Sequence, residues 1–251
     1  MNKLPSSLDL KKLINEKPIN KGVEIKSIKN DDFERRWNIF LTLQGNTENT
    51  PATDKNIITP LEHMRGRLIH AGIYDYFEKS LCTKTKILVI GAGDGGEVKL
   101  IKEQGYDTIG TTLHWSDKKF AKKFYDVELY IEDMHNMSFA HGTFDGIYSS
   151  HSLEHSISPI IALFEIRRVL KRNGKIYINV PQSGTGNETG IQHYSVLQET
   201  LWKHLLNIIG FKDINVYSND GNTIMKAIKD DYRECPGKHF EIELIKEKLF
   251  H

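Results

Sequence analysis

The sequence predicts a doubly wound α/β fold: a mainly parallel sheet with an antiparallel last strand, helices on both faces, and an N-terminal helical cap. Three observations predict it. The apolar run Lys86–Ile90 ends in a glycine-rich turn, KILVIGAGDGG over residues 86–96. Further strand-like runs then alternate with amphipathic stretches, the order that lays parallel strands side by side with crossover helices between them. The chain, at 251 residues, can bury a large core as one domain with extensions. The expected division is a helical cap over 1–80, a ligand-binding domain over 81–230 and a tail helix over 231–251.

Residues 1–55 are polar and lysine-rich, with Phe33, Trp37, Phe40 and Leu41 at helical spacing and a loop-like composition over 45–55. A helix is expected from Thr59, because Pro60 suits a first turn and Leu61, Met64 and Leu68 recur on one face. It breaks near Gly72 and continues through Tyr74, Phe77 and Leu81. Strands are expected at Lys86–Ile90, Thr108–Leu113, Val127–Tyr130, Gly146–Ser149, Lys175–Val180, Asp213–Tyr217 and Thr223–Ile228. Ser158 and Pro159 open a helix that runs through Leu170 and stops at Asn173-Gly174. Ser195 and Gln198 fit a capping box, so a further helix is expected from Ser195, with Leu201, Leu205 and Ile208 inward and Gly210 at its end. A short amphipathic helix is expected from Phe240.

Composition narrows the function classes. A net charge of +1 argues against a strongly electrostatic nucleic-acid binder. Cys82 and Cys235 are far apart and form neither a metal-type pair nor a disulfide framework. No run approaches membrane-spanning length, and the start MNKLPSSLDLKKLINEKPIN lacks the hydrophobic stretch of a signal peptide. A cytoplasmic, reducing setting is the expectation.

The chemistry centres on the glycine turn. Gly91, Gly93 and Gly96 match the G-x-G-x-x-G fingerprint, in which the backbone approaches a phosphate at a helix N-terminus. The acid expected about 20 residues on, to hold a ribose hydroxyl, is absent; Thr111 and Thr112 stand there. By itself the turn fits a nicotinamide-dependent oxidoreductase, another nucleotide-type ligand, or no ligand. Residues 151–155, His-Ser-Leu-Glu-His, also match the H-x-x-E-H zinc-protease pattern. That chemistry needs both histidines on one continuous helix, whereas this stretch leaves a strand, so no metal is expected.

Residues 132–181 decide between the nucleotide folds. Asp133-Met134 end the third strand, Phe144-Asp145 open the fourth, Ser149 and Leu153-Glu154-His155 follow it, and Arg168-Val169-Leu170-Lys171 precede Gly174. In this order the motifs resemble the Rossmann-like class I S-adenosylmethionine-dependent methyltransferases, in particular the small-molecule branch that includes quinone-methylating enzymes. The resemblance covers about residues 75–230. It implies S-adenosylmethionine as cofactor, with Gly91, Ala92, Gly93 and Gly95 against its methionine part, Thr112 and Leu113 by the ribose and adenine edge, and Asp133 and Met134 at the adenine. Ser150 and His151 would face the methionine moiety or the reaction site. Two positions depart from the family's pattern: Val89 and Thr112 stand where it usually has acids. A threonine hydroxyl still bonds a ribose, with less strength than a carboxylate.

Methyl transfer from a sulfonium is an in-line displacement, so the protein mainly positions the nucleophile and excludes water. A base is needed when the acceptor, a small molecule, must lose a proton. His193, His151 and His155, with Tyr194, are the candidates, because imidazole titrates near neutrality. His193 follows the loop that leaves the fifth strand, at the end where ligands bind in open α/β sheets; the competing role is ordering that turn. With both usual acids missing, a non-catalytic protein that binds S-adenosylmethionine is a further alternative.

Overall fold

A computed structural model of the chain describes residues 61–78, 84–186, 190 and 192–231. The expectations for residues 1–60, for Leu81 and for the tail helix from Phe240 lie outside them. The described elements are helices α1 (Leu61–His70) and α2 (Ile73–Tyr76), strand β1 (Lys86–Ile90), α3 (Gly96–Glu103), β2 (Asp107–Thr112), α4 (Trp115–Tyr125), β3 (Leu129–Ile131) and β4 (Phe144–Ser150). A 3-10 turn (Leu153–His155) follows, then α5 (Pro159–Val169), β5 (Leu170–Pro181), α6 (Glu199–Ile209), β6 (Phe211–Asn219) and β7 (Asn222–Lys229).

The seven strands form one sheet in the order β3-β2-β1-β4-β5-β7-β6. β1 to β5 pair in parallel, and β7 runs antiparallel to both β5 and β6. The last strand in sequence is thus the reversed one, as expected. The order turns back on itself between β1 and β4, and a crevice at such a switch point, beyond the strand carboxyl ends, is where open α/β sheets bind ligands.

Alternation along β1 feeds two cores. Leu88 and Ile90 pack with Ile147, Ile178 and the helices α5 and α6, including the fully buried Trp202 and Leu206. Ile87 and Val89 pack on the other face with Leu68 of α1, Val98 and Leu100 of α3, and Tyr148. Gly72, with φ 63, breaks the first helical run between α1 and α2. Helix α1 lies on the start of α3: a Cβ on Gly96 would come within 2.4 Å of the Met64 sulfur.

Two boundaries differ from the expectation. Helix α5 ends at Val169 and β5 begins at once, because Leu170 pairs with Phe144. Asn173-Gly174 therefore sits inside a strand: Asn173 has φ 53, and the pairing register shifts between Phe144 and Gly146. Local sequence cannot separate such an irregularity from a helix stop, since both call for a left-handed residue. Helix α6 begins at Glu199, not Ser195, and the residues it buries are Trp202, Leu206 and Ile209, with the expected inward Leu201 exposed. Ser195 is buried, and its hydroxyl donates to the Ser156 carbonyl at 2.7 Å, so it ties two loops together and caps nothing.

Candidate functional site

The glycine turn lies at the carboxyl end of β1. Gly91, Gly93 and Gly95 have φ of 67°, 50° and 87°, the left-handed region that a side chain disfavours. Gly91 is also needed for space, since a Cβ there would lie 1.9 Å from the Ser152 Oγ. The Ala92 N–H donates to the Thr111 carbonyl at 2.7 Å, tying the turn to β2. Gly91 and Gly93 are exposed, Ala92 and Gly95 buried.

Three carboxylates surround this turn. Asp94 accepts from the Gly96 N–H at 2.9 Å. Glu97, in the first turn of α3, accepts from the Tyr148 hydroxyl at 3.0 Å and lies 3.4 Å from the Arg67 guanidinium of α1. Asp117, in the first turn of α4, accepts from the Thr112 hydroxyl at 3.0 Å. Burial pushes the pKa of all three upward. Arg67 and Tyr148 partly offset this at Glu97, and the Thr112 hydroxyl does so at Asp117. Sequence reasoning passed over Glu97 and Asp117, because an acid in a first helical turn is satisfied by the helix dipole alone.

The predicted ribose and adenine residues follow along the β2 and β3 ends. The single proton of the Thr112 hydroxyl goes to Asp117, and its oxygen accepts from the His114 N–H at 3.1 Å. The acid thus stands directly behind the threonine. Leu113 and Met134 are half-buried. Asp133 accepts from both the backbone N–H and the ring Nδ1 of His135, at 2.9 and 2.6 Å. Burial raises the Asp133 pKa, and the two bonds from His135 outweigh that, leaving it below the ordinary carboxylate value. The other nitrogen of His135 lies 2.7 Å from the Ser156 hydroxyl, a link the sequence did not suggest.

Beyond β4 the chain turns sharply. Ser150 is half-buried, His151 is exposed with φ 49, and Leu153–His155 form a single 3-10 turn, so the H-x-x-E-H residues share no continuous helix. Glu154 is completely buried. Its backbone carbonyl accepts from the Tyr194 and Ser195 N–H groups, each at 2.9 Å. This brings His193 against His155, with ring centroids 5.0 Å apart. His193, distant in sequence, therefore joins His151 and His155 at one turn. The buried side-chain atoms lacking a hydrogen-bond partner among the described residues include Ser149 Oγ, Asn179 Oδ1 and both Glu154 oxygens, all at the carboxyl ends of β4 and β5 or just beyond. Native structures leave few such atoms, and each calls for an explanation. An open groove of about 240 Å³ lined by Thr85, Asp145 and Gly174 lies at the amino ends of the central strands, the opposite end of the sheet from these groups.

Comparisons with known proteins agree with this fold. Residues 88–178 match the methyltransferase domain family. No curated protein matches the chain. Among solved structures, an S-adenosylmethionine-dependent methyltransferase from Archaeoglobus fulgidus is similar at 19% identity and TM-score 0.57, over 67% of this chain and 94% of that one. The YcgJ protein of Bacillus subtilis is similar at 15% identity and TM-score 0.55, over 68% and 99%. Phosphoethanolamine N-methyltransferase 2 of Haemonchus contortus, in complex with phosphomonomethylethanolamine and S-adenosylhomocysteine, is similar at 17% identity and TM-score 0.53, over 67% and 53%. At these identities the likeness is one of fold.

Proposed function

We infer that this chain, whose residues 88–178 match the methyltransferase domain family and which has a Rossmann-like mainly parallel sheet, transfers a methyl group from S-adenosylmethionine to a small-molecule acceptor. The observation that carries the reading is the ring of Asp94, Glu97 and Asp117 around a bare glycine turn at the sheet's switch point. A pyrophosphate would be repelled by three carboxylates; a ligand bearing a sulfonium and an ammonium is attracted. The two acids missing at Val89 and Thr112 are replaced from the next helices. Glu97 serves the cofactor's ammonium, and Asp117, acting through Thr112, serves the ribose.

Gly91, Ala92, Gly93 and Gly95 lie along the methionine part, Leu113 and Met134 cover the adenine, and the Asp133 oxygen not taken by His135 accepts from the adenine amino group. Ser150 lines the reaction side. The bound sulfonium supplies an already activated methyl group. This chain's residues hold the acceptor in line, exclude water and, for an O–H or N–H acceptor, remove its proton. His151 is the base we favour among the three histidines. It adjoins Ser152, whose hydroxyl lies 3.4 Å from the Gly91 carbonyl, while His155 and His193 face Glu154 and each other.

Calorimetry with S-adenosylhomocysteine tests the binding, and transfer of labelled methyl across a panel of small acceptors tests the reaction. No heat at millimolar ligand sinks the cofactor assignment. Binding without transfer across the panel moves the protein to the non-catalytic alternative.

A further inference from the structure

Glu154 is an unusual residue in this site. Its side chain is 1% exposed, and neither carboxylate oxygen has a hydrogen-bond partner among the described residues. A buried carboxylate in that condition costs several kcal/mol unless it is neutralised or coordinates a cation. Its neighbours are imidazoles. His151 Nδ1 and His155 Nε2 lie 3.6 and 3.9 Å from Oε1, too far for hydrogen bonds. One donor atom each from Glu154, His155 and His193 lie within 4.8 Å of one another. Ligands at about 2.0–2.2 Å from a common tetrahedral ion stand roughly 3–4 Å apart, so a small side-chain rotation brings these three to bonding distance.

The surroundings fix the His155 donor. His155 Nδ1 lies 3.0 Å from the Gln192 carbonyl, a contact only an Nδ1–H can use. The lone pair is then on Nε2, the nitrogen turned toward Glu154. An outer carbonyl that sets the tautomer in this way is the usual partner of a metal-bound histidine. The two backbone bonds to the Glu154 carbonyl hold the His193 segment in place. His151 and Gln192, on either side, keep left-handed backbones at φ 49 and 68, a strain that concentrates at functional sites.

We propose that Glu154, His155 and His193 form a binding site for a divalent transition-metal ion, Zn²⁺ by the chemistry of two imidazoles and one carboxylate. Three protein donors leave a coordination position over, as in sites that take water or substrate. The H-x-x-E-H pattern concealed this arrangement. Read on a helix, it calls for both of its histidines; here its glutamate and second histidine combine with a third donor that lies in the loop before α6.

The test uses the full-length, tag-free protein stripped with chelator and then titrated with Co²⁺ and Zn²⁺. The expected result is one ion per chain, with cobalt d–d bands of low-coordinate intensity. His155→Ala and His193→Ala should each weaken binding by more than the roughly 10–100-fold that loss of an outer partner costs. His204→Ala, an exposed position on α6, is the control and should bind as wild type. Glu154→Gln keeps the shape of the buried side chain, and circular dichroism verifies its folding. Sub-stoichiometric metal in the wild type, or binding that survives the His155 and His193 replacements, overturns the proposal. These readouts do not depend on methyl transfer, so the site and the proposed function fail separately.

Discussion

Replacing Glu97 by glutamine tests the relocated acid at nearly constant shape. The Glu97 side chain is 11% exposed, accepts from Tyr148 at 3.0 Å and lies 3.4 Å from Arg67. Glutamine keeps an acceptor for Tyr148 and loses about 1 kcal/mol of charge assistance there. Arg67 is half exposed, so its ion pair contributes at most about 1 kcal/mol. On the other side, burial raises the Glu97 pKa. An acid whose folded pKa is raised costs stability above that pKa, and the cost disappears as pH falls through it toward the unfolded value. Glutamine removes the cost at neutral pH, so fold stability should change by no more than about 1 kcal/mol either way. The cofactor should respond far more. A buried carboxylate facing an ammonium contributes about 1.5–3 kcal/mol, a factor of roughly 10–150 in affinity. Calorimetry should compare S-adenosylhomocysteine with 5′-methylthioadenosine, which has the same nucleoside but no amino-acid part. The expected outcome is weaker binding of the first alone. Equal weakening of both, or of neither, refutes the placement of Glu97 at the ammonium.

Gly91→Ala should destabilise the fold by about 2–5 kcal/mol in urea denaturation: roughly 1–2 for the left-handed backbone and about 1–3 for overpacking on Ser152. Adding Ser152→Gly should recover the packing part alone. Asp133→Asn should cost about 1.5–3 kcal/mol at neutral pH by weakening the bonds from His135. Because the Asp133 pKa is depressed in the fold, its contribution is complete above the unfolded value near 3.8 and is lost as pH falls through the folded value. The gap between variant and wild type, followed by denaturation across pH, should therefore close in acid; a gap constant from pH 7 to pH 3 would contradict this. His151→Asn, chosen because asparagine tolerates a left-handed backbone, should lower turnover on an O–H or N–H acceptor by about 10²–10⁴ with little change in S-adenosylhomocysteine affinity. Turnover equal to wild type removes His151 as base.

The sheet was legible in the sequence because its strands are apolar in contrast to their surroundings. β1 falls at Lys86–Ile90 as expected, and β2, β4, β5, β6 and β7 overlap their expected spans with ends shifted by one to five residues. What local sequence could not carry was the choice between two uses of one signal. Asn173-Gly174 reads as a helix stop until Leu170 is seen paired with Phe144. Ser195 reads as a cap until its hydroxyl is found on Ser156. The glycine turn was visible because glycine has few other reasons to cluster. Glu97, Asp117 and His135 were not, and Glu154 was visible only as a motif member, because their meaning comes from burial and partners that only the folded chain supplies.

The acids show this most clearly. Val89 is 1% exposed in the core beside α3 and is the β1 register partner of Tyr148. The Tyr148 hydroxyl donates to Glu97. The strand pair that lacks a carboxylate at its own end thus holds one from the neighbouring helix through a phenol. The same holds one strand away, where Thr112, a neutral residue, bonds the acid Asp117. In both places a neutral residue on a strand is backed by an acid from the first turn of the following helix. On the proposed reading, the acids at the turn are moved rather than deleted. Both carboxylates are buried, and burial raises the pKa of each by disfavouring its charged form.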